Sequence, residues 1–180
     1  KGGDPLIFGR ATEEIDACRD AGIALEIVPG VTSAQGAAAR LGVSLTERAT
    51  ARRVQYITGH DRKGALPDDI DWTSITDPSA TTVVYMPKKT LSELAATAIA
   101  KGLDPATPAV AIASATRENE MIVAAPIASL ALRMAQAKLE GPALVLIGTT
   151  SYPQRAAEAG FVPCAESGIR MRRRWSLRDS

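Results

Sequence analysis

Lys1-Gly2-Gly3-Asp4-Pro5 and, one helix and one strand further along, Pro29-Gly30-Val31-Thr32-Ser33 are the two turns that decide the fold. A Gly-Gly pair has no side chains, so backbone amides can close on a ligand, and the adjacent carboxylate can accept from hydroxyl or ammonium donors. In layered α/β proteins such a loop hangs from a strand end. No strand precedes this one, so the chain is expected to start inside a unit and to be a fragment of a larger protein.

Between the turns, Ala11 to Arg19 has the pattern of a helix, with Glu13, Glu14 and Asp16 near its positive end and Ala21-Gly22 closing it. Ile23-Ala24-Leu25-Glu26-Ile27-Val28 is short and mostly apolar, which predicts a buried parallel strand. Ala34, Ala37, Ala38 and Leu41 then recur at helical spacing, with Thr32 or Ser33 as N-cap and Gly42 at the exit. Residues 44 to 52 lose this periodicity and are assigned to a linker.

Beyond it, strands are predicted at 54–58, 81–86, 108–115, 121–124 and 143–147, with amphipathic helices marked by Leu91, Leu94, Ala95, Ala98 and Ile99 and by Ile127, Leu130, Ala131 and Met134. The stretch through Trp72 and Asp77-Pro78 is a long connection. Alternating helices and apolar strands give an α/β layered class. The expected division is 1–49 as the C-terminal part of a first α/β domain, 50–150 as a second α/β domain, and 151–180 as a solvated, disordered tail carrying Arg170, Arg172, Arg173, Arg174 and Arg178.

The 180 residues are 46% apolar and 23% charged, enough to bury a core. Lys+Arg and Asp+Glu, at 21 and 20, nearly cancel, so overall charge makes no case for nucleic acid or a membrane surface as partner. Cys18 and Cys164 lack metal-ligand spacing and suggest no disulfide framework, which fits a cytoplasmic protein without a metal. No run approaches the ~18 apolar residues of a membrane span.

His60 has no cue for a serine or cysteine partner, and a structural role at a turn suits it better than a triad. Walker and G-x-G-x-x-G patterns are absent, so phosphoryl and hydride chemistry lose support. What remains is a set of loops at the carboxyl ends of predicted strands: Gly2-Gly3-Asp4, Thr32-Ser33, Met86 and Ala115. Each also has a plain reading as a turn, a helix cap or a core residue.

Taken in order, Lys1 to Arg10, Val28-Pro29-Gly30-Val31-Thr32-Ser33-Ala34, Thr58-Gly59-His60, Asp71-Trp72, Val84-Tyr85-Met86 and Pro142-Ala143-Leu144 resemble the uroporphyrinogen-III C-methyltransferases of the tetrapyrrole methylase family over about residues 1 to 150. The resemblance implies the two-domain tetrapyrrole methylase fold. It implies methylation of two pyrrole carbons of uroporphyrinogen III to give precorrin-2 for sirohaem or cobalamin, possible fusion within a sirohaem synthase, and a homodimer. The implied cofactor is S-adenosyl-L-methionine, leaving as S-adenosyl-L-homocysteine, with Gly2, Gly3, Asp4, Ile7, Thr32, Ser33, Met86 and Ala115 around it. The acceptor bears eight carboxylates, so rim arginines are expected partners, with Arg10, Arg48 and Arg52 foremost and Arg53 and Arg117 as further candidates.

The sequence departs from the family pattern in three places. Pro87 follows Met86 where the family has Gly, Glu47 stands in a Thr-His-Arg triplet, and Glu120-Met121 replaces Gln-Arg. The family's first strand, its Gly-Pro-Gly-Asp loop and its catalytic Asp and Lys precede the Gly-Gly-Asp motif and are not among these residues. No catalytic residue is therefore assigned, and little or no turnover is expected of the 180 residues alone. A relative with another acceptor (a later precorrin, diphthine or ribosomal RNA) and a non-catalytic remnant are the alternatives.

Overall fold

The computed structural model describes residues 3–148. The expected tail at 151–180 and the predicted ligand residue Gly2 lie outside the described residues. In chain order the elements are α1 (Ala11–Asp20), α2 (Ser33–Leu41), β1 (Arg53–Thr58), α3 (Trp72–Thr76), β2 (Ala80–Tyr85), α4 (Leu91–Ala100), β3 (Pro108–Ala113), β4 (Met121–Pro126), α5 (Ile127–Gln136) and β5 (Ala143–Ile147). Among the described residues no helix is long and apolar enough to cross a membrane.

The strands form one sheet in the order β1-β2-β5-β3-β4. β1 and β2 are parallel, from Arg53 opposite Ala80 to Thr58 opposite Tyr85, whereas β5 runs antiparallel to both β2 and β3, and β4 antiparallel to β3. Three consequences follow from this mixed topology. β1, β2 and β3 point the same way, their carboxyl ends share one edge of the sheet, and the amino end of β5 joins them there.

Side chains alternate across the pleat, so neighbours in a strand serve different cores. Val84, Ala111 and Val145 face a layer of α3, α4 and α5 through Ile75, Leu91, Leu94, Leu130 and Met134. Val83, Tyr85, Val110, Ile112, Leu144 and Leu146 face α2, which seats Ala34, Ala37, Ala38 and Leu41 on them. The small alanine stripe lets α2 lie close against the sheet.

Glu120 supplies a polar tie between the same two parts. Its side chain is only 8% exposed, and it accepts from Arg40 Nε at 2.9 Å and from the Thr116 amide at 2.7 Å. That contact pushes the Arg40 guanidinium above its usual value, against the opposing effect of burial. The departure from the family's Gln-Arg pair thus has a structural role here.

Two expectations need correction. The connection before β2 contains α3, a short turn of helix whose N-cap Asp71 accepts from the Thr73 and Ser74 amides. Residues 23–28 form no strand, because a strand exists through its ladder and the described residues offer this segment no partner. Its apolar side chains stand exposed, Ile23 at 61% and Val28 at 72%, and none of the residues of α1 is buried.

Candidate active-site cleft

The first loop and the Pro29-Gly30 turn are built against each other. Asp4 Oδ1 accepts from the Leu6 amide at 2.8 Å, closing its own turn, and Oδ2 accepts from the Gly30 amide at 3.1 Å. A Cβ on Gly30 would fall 2.3 Å from the Gly3 carbonyl oxygen, so this approach requires glycine. Gly3 itself, at φ 74, lies about one van der Waals contact from Ser33, where a Cβ would stand 3.4 Å from Oγ. Thr32 then caps α2, its hydroxyl oxygen accepting from the Gln35 amide.

A cluster of rings joins this double turn to the sheet. The Phe8 ring lies 4.7 Å from that of Tyr85, and Tyr56 meets Tyr85 edge-on at 5.9 Å. Burial pushes the Tyr85 phenol above its usual value, an effect that Thr32 and the Ala34 backbone oppose. The Tyr85 hydroxyl nonetheless makes no hydrogen bond of normal geometry. Ile7 and Ala115 pack against the same apolar cluster.

Met86 follows Tyr85 at φ 54 and is 40% exposed, its amide donating to the Ala143 carbonyl at 3.2 Å. Left-handed backbone is uncommon for residues other than glycine, yet Phe8, Arg10, Met86, Ser114 and Thr116 all adopt it around this edge of the sheet.

On the open side of Phe8 and Met86 lies a cleft of about 1180 Å³. Phe8, Met86, Pro142 and Ala143 give it apolar walls, and its cations are Arg10, Arg62, Lys63, Lys88 and Lys89. The last four come from the loops after β1 and β2, which are locked together. The Gly59 amide donates to the Tyr85 carbonyl at 2.6 Å, the Thr90 hydroxyl donates to the Gly59 carbonyl, and a Cβ on Gly59 would meet Pro87 Cα at 2.6 Å. Pro87, lacking an N–H, thus supports this junction by contact. His60 also lines the cleft, with its carbonyl accepting from the Thr58 hydroxyl at 3.0 Å and its buried Nδ1 without a partner.

Of the predicted cofactor residues, Met86 lines the cleft. Gly3, Asp4, Ile7, Thr32, Ser33 and Ala115 are joined to one another through Gly30, Tyr85 and the α2 core rather than lining it. Of the predicted rim arginines, Arg10 enters the cleft. Arg48 and Arg52 are exposed ahead of β1, at the strand end opposite the cleft, and a six-residue strand spans roughly 20 Å. Sequence reasoning did not single out Phe8, Tyr85, Arg62, Lys63, Lys88 or Lys89. Only the Phe8 and Tyr85 positions had a signal, since both lie inside motifs already marked.

Residues 1–131 match the family described as Tetrapyrrole (Corrin/Porphyrin) Methylases. A siroheme synthase of Chromobacterium violaceum is 44% identical over 148 residues, which is 82% of this chain and 31% of that protein. An S-adenosyl-L-methionine-dependent uroporphyrinogen III methyltransferase of Arabidopsis thaliana, chloroplastic, is 42% identical over 148 residues, 82% of this chain and 40% of its own length. The chain therefore spans about a third of the length of these curated relatives. Among solved structures, the uroporphyrin-III C-methyl transferase of Thermus thermophilus complexed with S-adenyl homocysteine aligns over 81% of this chain and 62% of its own, with TM-score 0.67 and 31% identity. A cobalt precorrin-4 methyltransferase aligns over 81% and 61%, with TM-score 0.73 and 27% identity.

Proposed function

The chain belongs to the Tetrapyrrole (Corrin/Porphyrin) Methylases, and from that membership we propose that it forms the donor site and one wall of the acceptor cleft of an S-adenosyl-L-methionine-dependent uroporphyrinogen-III C-methyltransferase serving sirohaem or cobalamin synthesis. The observation that supports this most is the packing of Phe8, from the first loop, on Tyr85 at the end of β2, with Gly3 set against Ser33 and Asp4 accepting from the Gly30 amide. A homodimer, which rests on the resemblance alone, and a cytoplasmic location, which rests on cysteine usage, accompany the proposal.

The residues present fit an adenosyl sulfonium. Gly3 leaves its backbone exposed beside Ser33, Met86 offers an exposed thioether side chain, and the buried Tyr85 hydroxyl has unused hydrogen-bonding capacity. When bound, the cofactor supplies an electrophilic methyl group on a cationic sulfur that leaves as a neutral thioether. That chemistry asks the protein for alignment more than for acid or base groups. Asp4 contributes by holding the two turns in register, since both its oxygens are engaged by amides. Phe8 and Tyr85 keep that double turn against the sheet edge, and Met86 borders both the donor cluster and the cleft.

Titration calorimetry of the chain with S-adenosyl-L-homocysteine tests this reading. The expected result is saturable heat at one site and a melting temperature that rises with ligand, with about 2.7 kcal/mol of stabilisation at a hundredfold excess over Kd. No heat and no shift up to millimolar ligand would refute it.

A further inference from the structure

We infer that Arg62 and Lys63, after β1, together with Lys88 and Lys89, after β2, form the wall that reads the acceptor's peripheral carboxylates. The inference rests on the proposed function and deepens it, because it moves acceptor recognition away from Arg48 and Arg52.

Charge gives the first argument. Five cations line the cleft against two carboxylates, Glu13 and Asp61. Asp61 is turned to its own loop, where its Oδ1 accepts from the Lys63 and Ala65 amides at 2.8 and 3.0 Å. Among the described residues none of the five cations has a carboxylate within ion-pair distance. Concentrated like charge is unfavourable unless something neutralises it, and a concave surface focuses its field on an incoming anion.

Shape gives the second. The cations surround apolar ground made by Phe8, Met86, Pro142 and Ala143. A ligand suited to both is apolar in its middle and anionic at its edge, which describes a carboxylated macrocycle better than a phosphate or a nucleic acid.

Rigidity gives the third. β1 and β2 are parallel with Thr58 opposite Tyr85, so the loops leaving them run side by side. The Gly59 amide on the Tyr85 carbonyl, the Thr90 hydroxyl on the Gly59 carbonyl and the Gly59–Pro87 contact fix the bases of the two loops. The two cation pairs therefore have a set separation at their backbone origins, which favours one spacing of carboxylates over another.

The test is binding of uroporphyrin III, the fluorescent oxidised octacarboxylate, compared with coproporphyrin III, which carries four carboxylates, at two salt concentrations. The chain is expected to prefer the octacarboxylate by about tenfold, with the preference falling at high salt. The double variants R62Q/K63Q and K88Q/K89Q each weaken uroporphyrin binding by about tenfold and erase the preference, while R48Q/R52Q leaves it unchanged. All six positions are exposed, so melting temperatures report folding directly. Affinity for S-adenosyl-L-homocysteine falls less than uroporphyrin affinity in each cleft double, since none of the exchanged side chains is among the proposed donor residues. Uroporphyrin binding that is insensitive to both cleft doubles, or lost in R48Q/R52Q, overturns the inference while leaving the cofactor reading intact. Failure of the homocysteine ligand to bind the unaltered chain removes the cofactor reading itself.

Discussion

The Phe8 ring packs against Tyr85 at 4.7 Å between centroids and 50° between planes, and Tyr85 immediately precedes the cleft residue Met86. Phe8 belongs to the first loop and Tyr85 to the end of β2. This contact is therefore a direct apolar link between the double turn and the sheet. Phe8→Ala should remove about 0.5–1.5 kcal/mol of coupling. Because Phe8 is 43% exposed, the loss should fall on local order more than on global stability. Hydrogen exchange should speed up in residues 3–31 while β2, β3 and β5 keep their protection. Unchanged exchange in the loop contradicts this role.

Gly59 and Gly36 should respond in opposite directions to alanine. A methyl group at Gly59 meets Pro87 Cα at 2.6 Å, backbone against backbone, so one of the two loops must shift, at a cost of about 1–3 kcal/mol. At Gly36, inside α2, the nearest atom to such a methyl is Thr116 Cγ2 at 3.7 Å, an ordinary contact. Gly36→Ala should stabilise by about 0.5–1 kcal/mol through helix propensity. Urea denaturation of both variants checks the contrast, and equal effects would contradict it.

Met86 combines a left-handed backbone with an exposed side chain in the cleft. Met86→Gly relieves the backbone, worth about 1 kcal/mol, while removing a wall of the site. The expected result is a melting temperature that holds or rises together with weaker binding of S-adenosyl-L-homocysteine. A variant that binds as tightly as the parent chain contradicts the proposal that Met86 lies beside the cofactor.

Acid should destabilise the chain through two aspartates at the turns around α3. Asp71 lies below the ordinary carboxylate value of 3.8, chiefly through the Ser74 hydroxyl and then its amide. Asp77 is lowered in the same way by the Ser79 hydroxyl and amide, each at 2.7 Å. A lowered folded-state value means that the unfolded chain takes up protons first as pH falls. The stabilisation is complete above the unfolded value and is lost as pH falls below about 4 through the lower folded one. Melting temperature should fall more steeply over that range in the parent chain than in Asp71→Asn/Asp77→Asn. Identical slopes contradict the assignment.

Much of this fold could be read locally. β5 at 143–147 matches its apolar run, and Ala34, Ala37, Ala38 and Leu41 all point into the core that their spacing predicts. A short buried run bounded by breakers has few ways to satisfy its backbone, so local pattern suffices. Residues 23–28 look the same in sequence, but a strand also needs a neighbour, and pairing is not a local property. α3 is brief enough that only its cap, Asp71, announces it.

The turns proposed to hold the donor were legible because each is contiguous. The cationic wall was not, because Arg62-Lys63 and Lys88-Lys89 become neighbours only through the register of β1 on β2. The direction of β1 explains why Arg48 and Arg52, equally basic and within the linker, lie at the wrong end of the strand to share the cleft.

The central claim, that segments far apart in the chain make one donor site at the carboxyl ends of β2 and β3, is tested most directly by amide NMR during titration with S-adenosyl-L-homocysteine. The prediction is that the amides of Gly3, Thr32, Ser33, Met86 and Ala115 move together along one binding isotherm, while those of Arg48 and Arg52 stay still. Shifts confined to one of these segments, or centred on the amino ends of β1 and β2, would contradict it.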